Sequence, residues 1–411
     1  MRRFEDIEVS RRAFLAGGAA LGATLALPSG VFAAISNTPV GSESVVVHLY
    51  LRGGFDSLAA VFPMGNRDLA VARPSIGIPD SVALPLGGGW GLHPALAPFV
   101  PFWNAGELMF IVGTGTPTHS RSHFDETNAL SRANYGSTTL TRSGWIARAT
   151  EELVQTGPIH SVSIASSTFS SRNGTRPVLS VGRLANTRFP SVSGLSTATF
   201  QDFVRQTGRQ ANTTWATRAT TTVDAVRAIE GTRSTPTTVV YPATETGARL
   251  RDAAALIKSN LGVRFIDLDF SGDFDLHARV GTFSEGSMRD LLTDLSTSLS
   301  AFRFDLGDLW SNVVVVTMTE FGRRVQENAS QGVDHGWASA MLAMGGRING
   351  GRIIGQLPDL HPTQLDNGDV RVSIDYRTVL SEVLARGSGF SADSLARVFP
   401  RFTGVPLGVI R

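Results

Sequence analysis

Four short stretches of the 411-residue sequence gather acids, histidines, arginines and hydroxyls, each just after an apolar run. The run Ser44 to Leu51 leads into Arg52-Gly53-Gly54-Phe55-Asp56-Ser57, and Glu107 to Gly113 leads into a segment holding His119, Ser120, Arg121, Ser122 and His123. Val263 to Phe270 is followed by Asp273, Asp275 and His277, and Asn312 to Thr319 by Glu320, Gly322, Arg323, Arg324, Asp334 and His335. Carboxylates such as Asp56, Asp275 and Glu320 cannot share a cleft with histidines unpaired; they need a divalent ion, arginines or protons. A carboxylate-dominated set suits Ca²⁺, Mg²⁺ or Mn²⁺, whereas full use of His277 and His335 favours Zn²⁺. With such an ion, Ser122 (or its neighbour Ser120) at a helix start could be activated as a nucleophile beside His123, with Arg121 or Arg323 holding an oxyanion. Each group also has an ordinary reading: Asp56, Ser120 or Ser122 as helix caps, Glu320 and an arginine as an ion pair, Asp334-His335-Gly336 as a turn.

The elements that must position these groups are legible as a pattern. The four valines at 313–316 are continuous in apolar character, as a parallel strand covered on both faces requires. Similar strands are expected near 44–51, 107–113, 159–165 and 263–270, and another at 338–343. Helices are expected from His93 to Trp103, to about Ala133, over 144–153, 248–260 and 286–306, and over 375–386. The helix over 286–306 carries Leu291, Leu292, Leu295, Leu299 and Phe302 as a core-facing stripe. Residues 63–93 read as an excursion with little regular structure, and the glycines at 345, 346, 350 and 351 as a hairpin-like turn. In an open α/β sheet, ligands bind outside the carboxyl ends of the strands, where all four polar stretches fall.

Composition limits the alternatives. The chain is 42% hydrophobic with mean hydropathy +0.04, enough for a large core. It has no cysteine, which removes disulfides, thiolate nucleophiles and cysteine-bound metals. The formal charge is +2, nearly all its cations are arginine, and no basic run interleaved with aromatics appears, so a nucleic-acid partner is not expected. Residues 1–34 are expected to be a targeting segment: Ser10-Arg11-Arg12-Ala13-Phe14-Leu15 resembles the twin-arginine export motif, a short apolar run spans Ala13 to Leu27, and Val31-Phe32-Ala33 offers a cleavage point after Ala33. Export by the twin-arginine translocase, to the periplasm or outside the cell, follows, with no stable membrane span in the mature chain. One α/β domain is expected over 44–405, with a Ser/Thr/Arg-rich peripheral insert at about 166–245 containing an amphipathic helix within 213–230.

The blocks GGFDSL, HSRSHFD, DFDLH and TEFGRRVQEN…GVDHG resemble the bacterial domain of unknown function 1501 family over about residues 44–385. That family in turn resembles the alkaline phosphatase and sulfatase superfamily. The resemblance implies a three-layer α/β/α sandwich with a mostly parallel central sheet and a metal-bound hydrolytic site. By it, Asp56 corresponds to the first-strand metal ligand, and Arg121-Ser122-His123 lies where the nucleophile starts its helix. Asp275 and His277 stand for a spaced Asp and His ligand, Glu320-Phe321-Gly322 for an Asp-His-Gly, and Asp334-His335 for the later histidine. Phe321 cannot ligate, and the 275–277 spacing is shorter than in the phosphatases, so one ion, or none, is implied in place of two zincs. The expected function is an exported metal-dependent hydrolase of small or polymeric phosphate or sulfate esters. The alternative is a degenerate, non-catalytic relative that binds a ligand or partner in the cell envelope.

Overall fold

The structure, a computed structural model, describes residues 44–135, 143–153, 157, 159–165, 179–189, 194–210, 214–233 and 235–411. The expected targeting segment at 1–34 lies outside them. Fourteen strands occur among these residues: β1 Val45–Tyr50, β2 Val61–Pro63, β3 Leu84–Gly87, β4 Trp90–Leu92, β5 Leu108–Gly115, β6 Ser161–Ile164, β7 Leu179–Val181, β8 Phe265–Asp269, β9 Val313–Met318, β10 Arg323–Glu327, β11 Val333–His335, β12 Ser339–Gly345, β13 Arg352–Ile354 and β14 Ile374–Asp375. Nine of them form the central sheet in the order β13-β5-β12-β9-β1-β8-β6-β7, with β14 beside β5. β1 pairs parallel with β8 and β9, and β8 with β6. Only β12, antiparallel to both β5 and β9, breaks the parallel run. The carboxyl ends of β1, β5, β8 and β9 therefore open on one edge.

Both faces of the sheet are covered, which is why β1 and β9 read as unbroken apolar runs. Val45, Val47, Leu49, Val313 and Val315 pack with Leu292, Leu295, Leu299 and Phe302 of the helix Ser287–Leu306 and with Leu250 and Ala254 of Glu245–Lys258. Val46, Tyr50, Val314, Val316 and Met318 face the other way, onto Trp145, Ile146, Val379 and Leu380. The result is a three-layer α/β/α arrangement with a mostly parallel sheet. Burying each valine side chain is worth about 2 kcal/mol, so a polar group in the same layer must be paired. His48 is: its Nδ1 lies 2.6 Å from Asp267 Oδ1.

Two expectations change. Residues 61–92 contain a small antiparallel sheet, β2-β4-β3, and the helix Arg67–Ala72, so the glycine- and proline-rich excursion is ordered. The glycines at 345–351 make no hairpin, because β12 and β13 lie on opposite sides of β5. The segment between Arg323 and His335 is the two-stranded hairpin β10-β11. Within 166–245, the helices Thr197–Gln210 and Thr214–Thr232 share a separate cluster of Phe189, Phe200, Val204, Val223 and Val226. No helix among the described residues is long and apolar enough to cross a membrane.

His93 opens the turn that leads to Phe99, and its Nδ1 accepts a hydrogen bond from the Ala95 amide at 3.0 Å. Burial, with the charge of Arg289, lowers its pKa to about 4. Between about pH 6.5 and pH 4 the unfolded chain therefore binds a proton that folded His93 does not. Stability should fall as the pH drops through that window, on the order of 3 kcal/mol at its lower end. Urea midpoints at pH 7 and pH 4.5 should separate more for the wild type than for His93→Asn, which keeps an acceptor for Ala95. Parallel pH curves would remove His93 as the cause.

Candidate metal centre

The site begins at the turn after β1. Gly53 and Gly54 have φ of 94° and 71°, a region that glycine enters without a side-chain clash. A Cβ on Gly53 would lie 2.0 Å from Asp273 Oδ1 and 2.5 Å from the Asp275 amide; one on Gly54 would lie 2.6 Å from the Phe321 ring. Only the missing side chains let the turn rest on both neighbouring loops. Arg323, fully buried, fastens it by donating to the carbonyls of Gly53 and Gly54 and, at 2.6 Å, to Asp275 Oδ1.

Three imidazoles meet beside that carboxylate. His123 Nε2 and His277 Nε2 lie 3.0 and 2.9 Å from His335 Nε2. Asp275 Oδ1 is 3.3, 3.0 and 3.1 Å from the Nε2 atoms of His123, His277 and His335. The other nitrogen of each ring is already engaged. His123 Nδ1 donates to Glu320 Oε1 at 2.7 Å, His335 Nδ1 to the Arg121 carbonyl at 2.8 Å, and His277 Nδ1 to Asp334 Oδ1 at 3.3 Å. These partners are acceptors, so they fix the proton on Nδ1 in each neutral ring and leave the Nε2 lone pairs pointing together. Three lone pairs and a carboxylate oxygen repel one another at such distances unless a cation sits among them. His123, Asp275 and His335 each place a donor atom within 4.8 Å of the other two. Ligands of a tetrahedral zinc ion, at about 2.0–2.1 Å from it, stand roughly 3.4 Å apart. The donor set fits a divalent ion, and two imidazoles to one carboxylate, with the His277 ring beside them, favour the zinc-like metals over Ca²⁺ or Mg²⁺.

The electrostatics agree. Burial alone would raise the Asp275 carboxyl, but the Arg323 guanidinium, aided by His123 and His335, holds it well below the usual range. Burial would likewise raise buried Glu320, and the bonds from His123 and from the Gly53 amide, 2.8 Å away, reverse this. The Glu320 bond raises His123 above an ordinary histidine, while His335 is lowered by burial and by the Arg323 charge. A proton on His123 is thus the competitor of a bound cation.

Several expected roles are corrected. Asp56 does not join the cluster: its two oxygens are taken by Arg73 at 2.7 and 3.0 Å in a buried ion pair, and Arg73 also donates to the Val325 carbonyl. Glu320 and Asp334 orient His123 and His277 and present no oxygen to the common centre. Ser122 is the N-cap of the helix His123–Arg132, accepting from the Asp125 amide at 3.3 Å, and Ser120 Oγ accepts from the Ser122 amide. Among the described residues, neither hydroxyl bonds to an imidazole or a carboxylate. Arg121 is paired with Asp369, and Arg323 is sealed under the turn, so neither is free to hold an oxyanion. His123, expected beside the nucleophile, is a ligand candidate.

Other contributors carried no signal in the sequence. Phe321 is the apolar wall behind the imidazoles, its ring centroid 4.7 Å from that of His123 and 4.8 Å from that of His335. Tyr50 donates to Glu320 Oε2 at 3.0 Å. Buried Glu126 collects Thr116, Thr118 and the Ser120 amide and shapes the loop before His123. An acid in the first helical turn is an ordinary partner of the helix dipole, so its residue type alone does not mark Glu126.

A family model described as protein of unknown function (DUF1501) matches residues 111–383, which hold every residue of the imidazole cluster. The chain belongs to this family. No sequence among proteins of curated function matches it. Among solved structures, the chain is similar to the PsFucS1 sulfatase from Pseudoalteromonas sp., with 12% identity and a TM-score of 0.39 over 100% of this chain and 78% of that one. It is also similar to alkaline phosphatase from the Antarctic bacterium TAB5, with 9% identity and a TM-score of 0.29 over 74% and 92%. At these scores the likenesses assign no residue of this chain.

Zinc or Mn²⁺ added to the metal-free protein should raise its melting temperature, by about 2.7 kcal/mol of stabilisation at a hundred times Kd. His123→Ala and His335→Ala should lose the effect, which should fade in acid as His123 takes a proton instead. Asp56→Ala should cost about 3–5 kcal/mol by stranding Arg73 yet keep the metal response. An equal shift in His335→Ala, or none in the wild type, contradicts the assignment.

Proposed function

We propose that this protein is a metal-dependent hydrolase of phosphate or sulfate esters working at one divalent-ion site held by His123, Asp275 and His335. The observation that carries the metal is the convergence of Nε2 lone pairs on Asp275 Oδ1, each ring pinned from behind. The ester class is supported by the motif resemblance, not by the site alone. An ion bound there would supply Lewis acidity to an ester oxygen and acidify a water. The chain's own residues supply the rest. Glu320, the Arg121 carbonyl and Asp334 fix the rings, Arg323 holds Asp275, and Phe321 excludes water from behind.

His277 is more exposed than the other two rings, and Asp334 Oδ1 lies at its Nδ1, with Asn328 holding the same oxygen at 2.9 Å. This Asp-His pair leaves Nε2 as an acceptor at the mouth of the site, the position of a general base for an attacking water. Ser122 keeps its cap, and no seryl intermediate is required. The alternative, a non-catalytic envelope protein that binds a ligand through the ion, is favoured by one observation: both arginines expected at an oxyanion are committed elsewhere. In either case the twin-arginine-like motif at Ser10–Leu15 supports export to the periplasm or beyond.

Turnover of an aryl phosphate and an aryl sulfate by the zinc-loaded protein decides between them. His277→Ala should lower kcat about 10²–10⁴-fold with the metal retained. Ser122→Ala should keep turnover and lose about 1 kcal/mol of stability. Turnover abolished in metal-loaded Ser122→Ala would install a serine nucleophile, and an inactive wild type would leave the binding-protein reading.

A further inference from the structure

We propose that Asp369 is the positioning residue of the centre, setting the tautomer of His335 through Arg121; the inference rests on the metal-site reading above. Asp369 is fully buried, in a short turn closed by backbone bonds to Asp366. Its Oδ2 lies 2.7 Å from His119 Nε2 and accepts from Arg121 Nε and Nη2 at 2.9 and 2.5 Å. Arg324 Nε faces Oδ1 at 3.6 Å, and that oxygen has no hydrogen-bond partner. Three basic side chains from two segments thus face one buried carboxylate, a large local concentration of charge for a residue outside the centre.

The geometry around Arg121 shows what the pairing does. Arg121 has φ of 56°, a left-handed conformation that residues with a Cβ rarely adopt. In that conformation its carbonyl meets His335 Nδ1 at 2.8 Å, the bond that turns the His335 lone pair toward Asp275. The backbone conformation persists only where its surroundings over-determine it, and the two hydrogen bonds from Arg121 Nε and Nη2 to Asp369 Oδ2 do so. A second tie runs in parallel. His119 stacks on Trp337, centroids 4.5 Å apart at 7°, and Trp337 Nε1 donates to the Thr116 carbonyl at 3.0 Å. Asp369 therefore clamps the 119–121 segment beside the β10-β11 hairpin, where it faces Arg324 of β10, without touching a ligand itself.

The test uses the full chain with histidine ¹⁵N labelling, in two variants: Asp369→Ala and Asp369→Asn. In the metal-free wild type, His335 should show the Nδ1–H tautomer in long-range ¹H–¹⁵N spectra. Asp369→Ala should lose that preference and bind zinc 10–100-fold more weakly. Asp369→Asn, which keeps an acceptor for Arg121, should recover part of both. An unchanged His335 tautomer in a folded Asp369 variant overturns the proposal, as does an unchanged zinc affinity where the wild type binds zinc. If Asp369→Ala does not fold, Asp369→Asn decides alone by the same readouts. The tautomer signal needs no ion, so a wild type that binds no zinc refutes the metal site while the spectra still decide the role of Asp369.

Discussion

The Nδ1 protons of His123, His277 and His335 are held by Glu320, Asp334 and the Arg121 carbonyl, and this constraint shapes the rest of the site. With those protons fixed, the three Nε2 lone pairs lie 3.3, 3.0 and 3.1 Å from the Asp275 oxygen, those of His123 and His335 in one ligand group and that of His277 beside it. Such a group is unstable without a positive charge at its centre. A proton on His123 or a divalent ion can supply it, and the two compete. Everything near the centre limits how the rings can relax. Phe321 fills the rear, Arg323 fixes the carboxylate, and the glycine turn leaves no room for the 273–275 loop to withdraw.

This arrangement depends on the sheet. β1, β8 and β9 pair in parallel, so the turn carrying Gly53, the loop carrying Asp275 and the end carrying Glu320 leave the sheet side by side. β5 sends the loop with His123 from the same edge, since it too opposes β12. The hairpin β10-β11 then returns His335 over that edge, with Arg323 opposite it in register. The catalytic arrangement proposed here is therefore a property of strand order. One strand exchanged in the sheet would separate Glu320 from His123.

The strands were legible because burial on both faces leaves a continuous apolar run, as in Val313 to Val316. The polar ends of those strands were legible because so many ionisable types in so few residues exceed what caps require. What side chains do at the site was less legible. Asp56 follows a strand as Asp275 does, and only the tertiary contact with Arg73, seventeen positions on, separates their roles. Glu320 looks like a ligand in sequence because nothing there says that an imidazole will occupy its inner oxygen. Asp369 lies in a turn-like Asp-Asn-Gly-Asp stretch, where an acid is unremarkable until His119 and Arg121 fold over it. Pattern locates elements, whereas pairing between distant loops decides which carboxylate stays free.

The proposed centre holds one divalent ion through His123 Nε2, His335 Nε2 and a carboxylate oxygen of Asp275. The most direct measurement is a crystal structure of the zinc-loaded protein with anomalous data collected across the zinc edge. One anomalous peak within bonding distance of His123 Nε2, His335 Nε2 and Asp275 Oδ1 is the predicted result. No peak there, with His123 instead donating an Nε2 proton to Asp275, would contradict it.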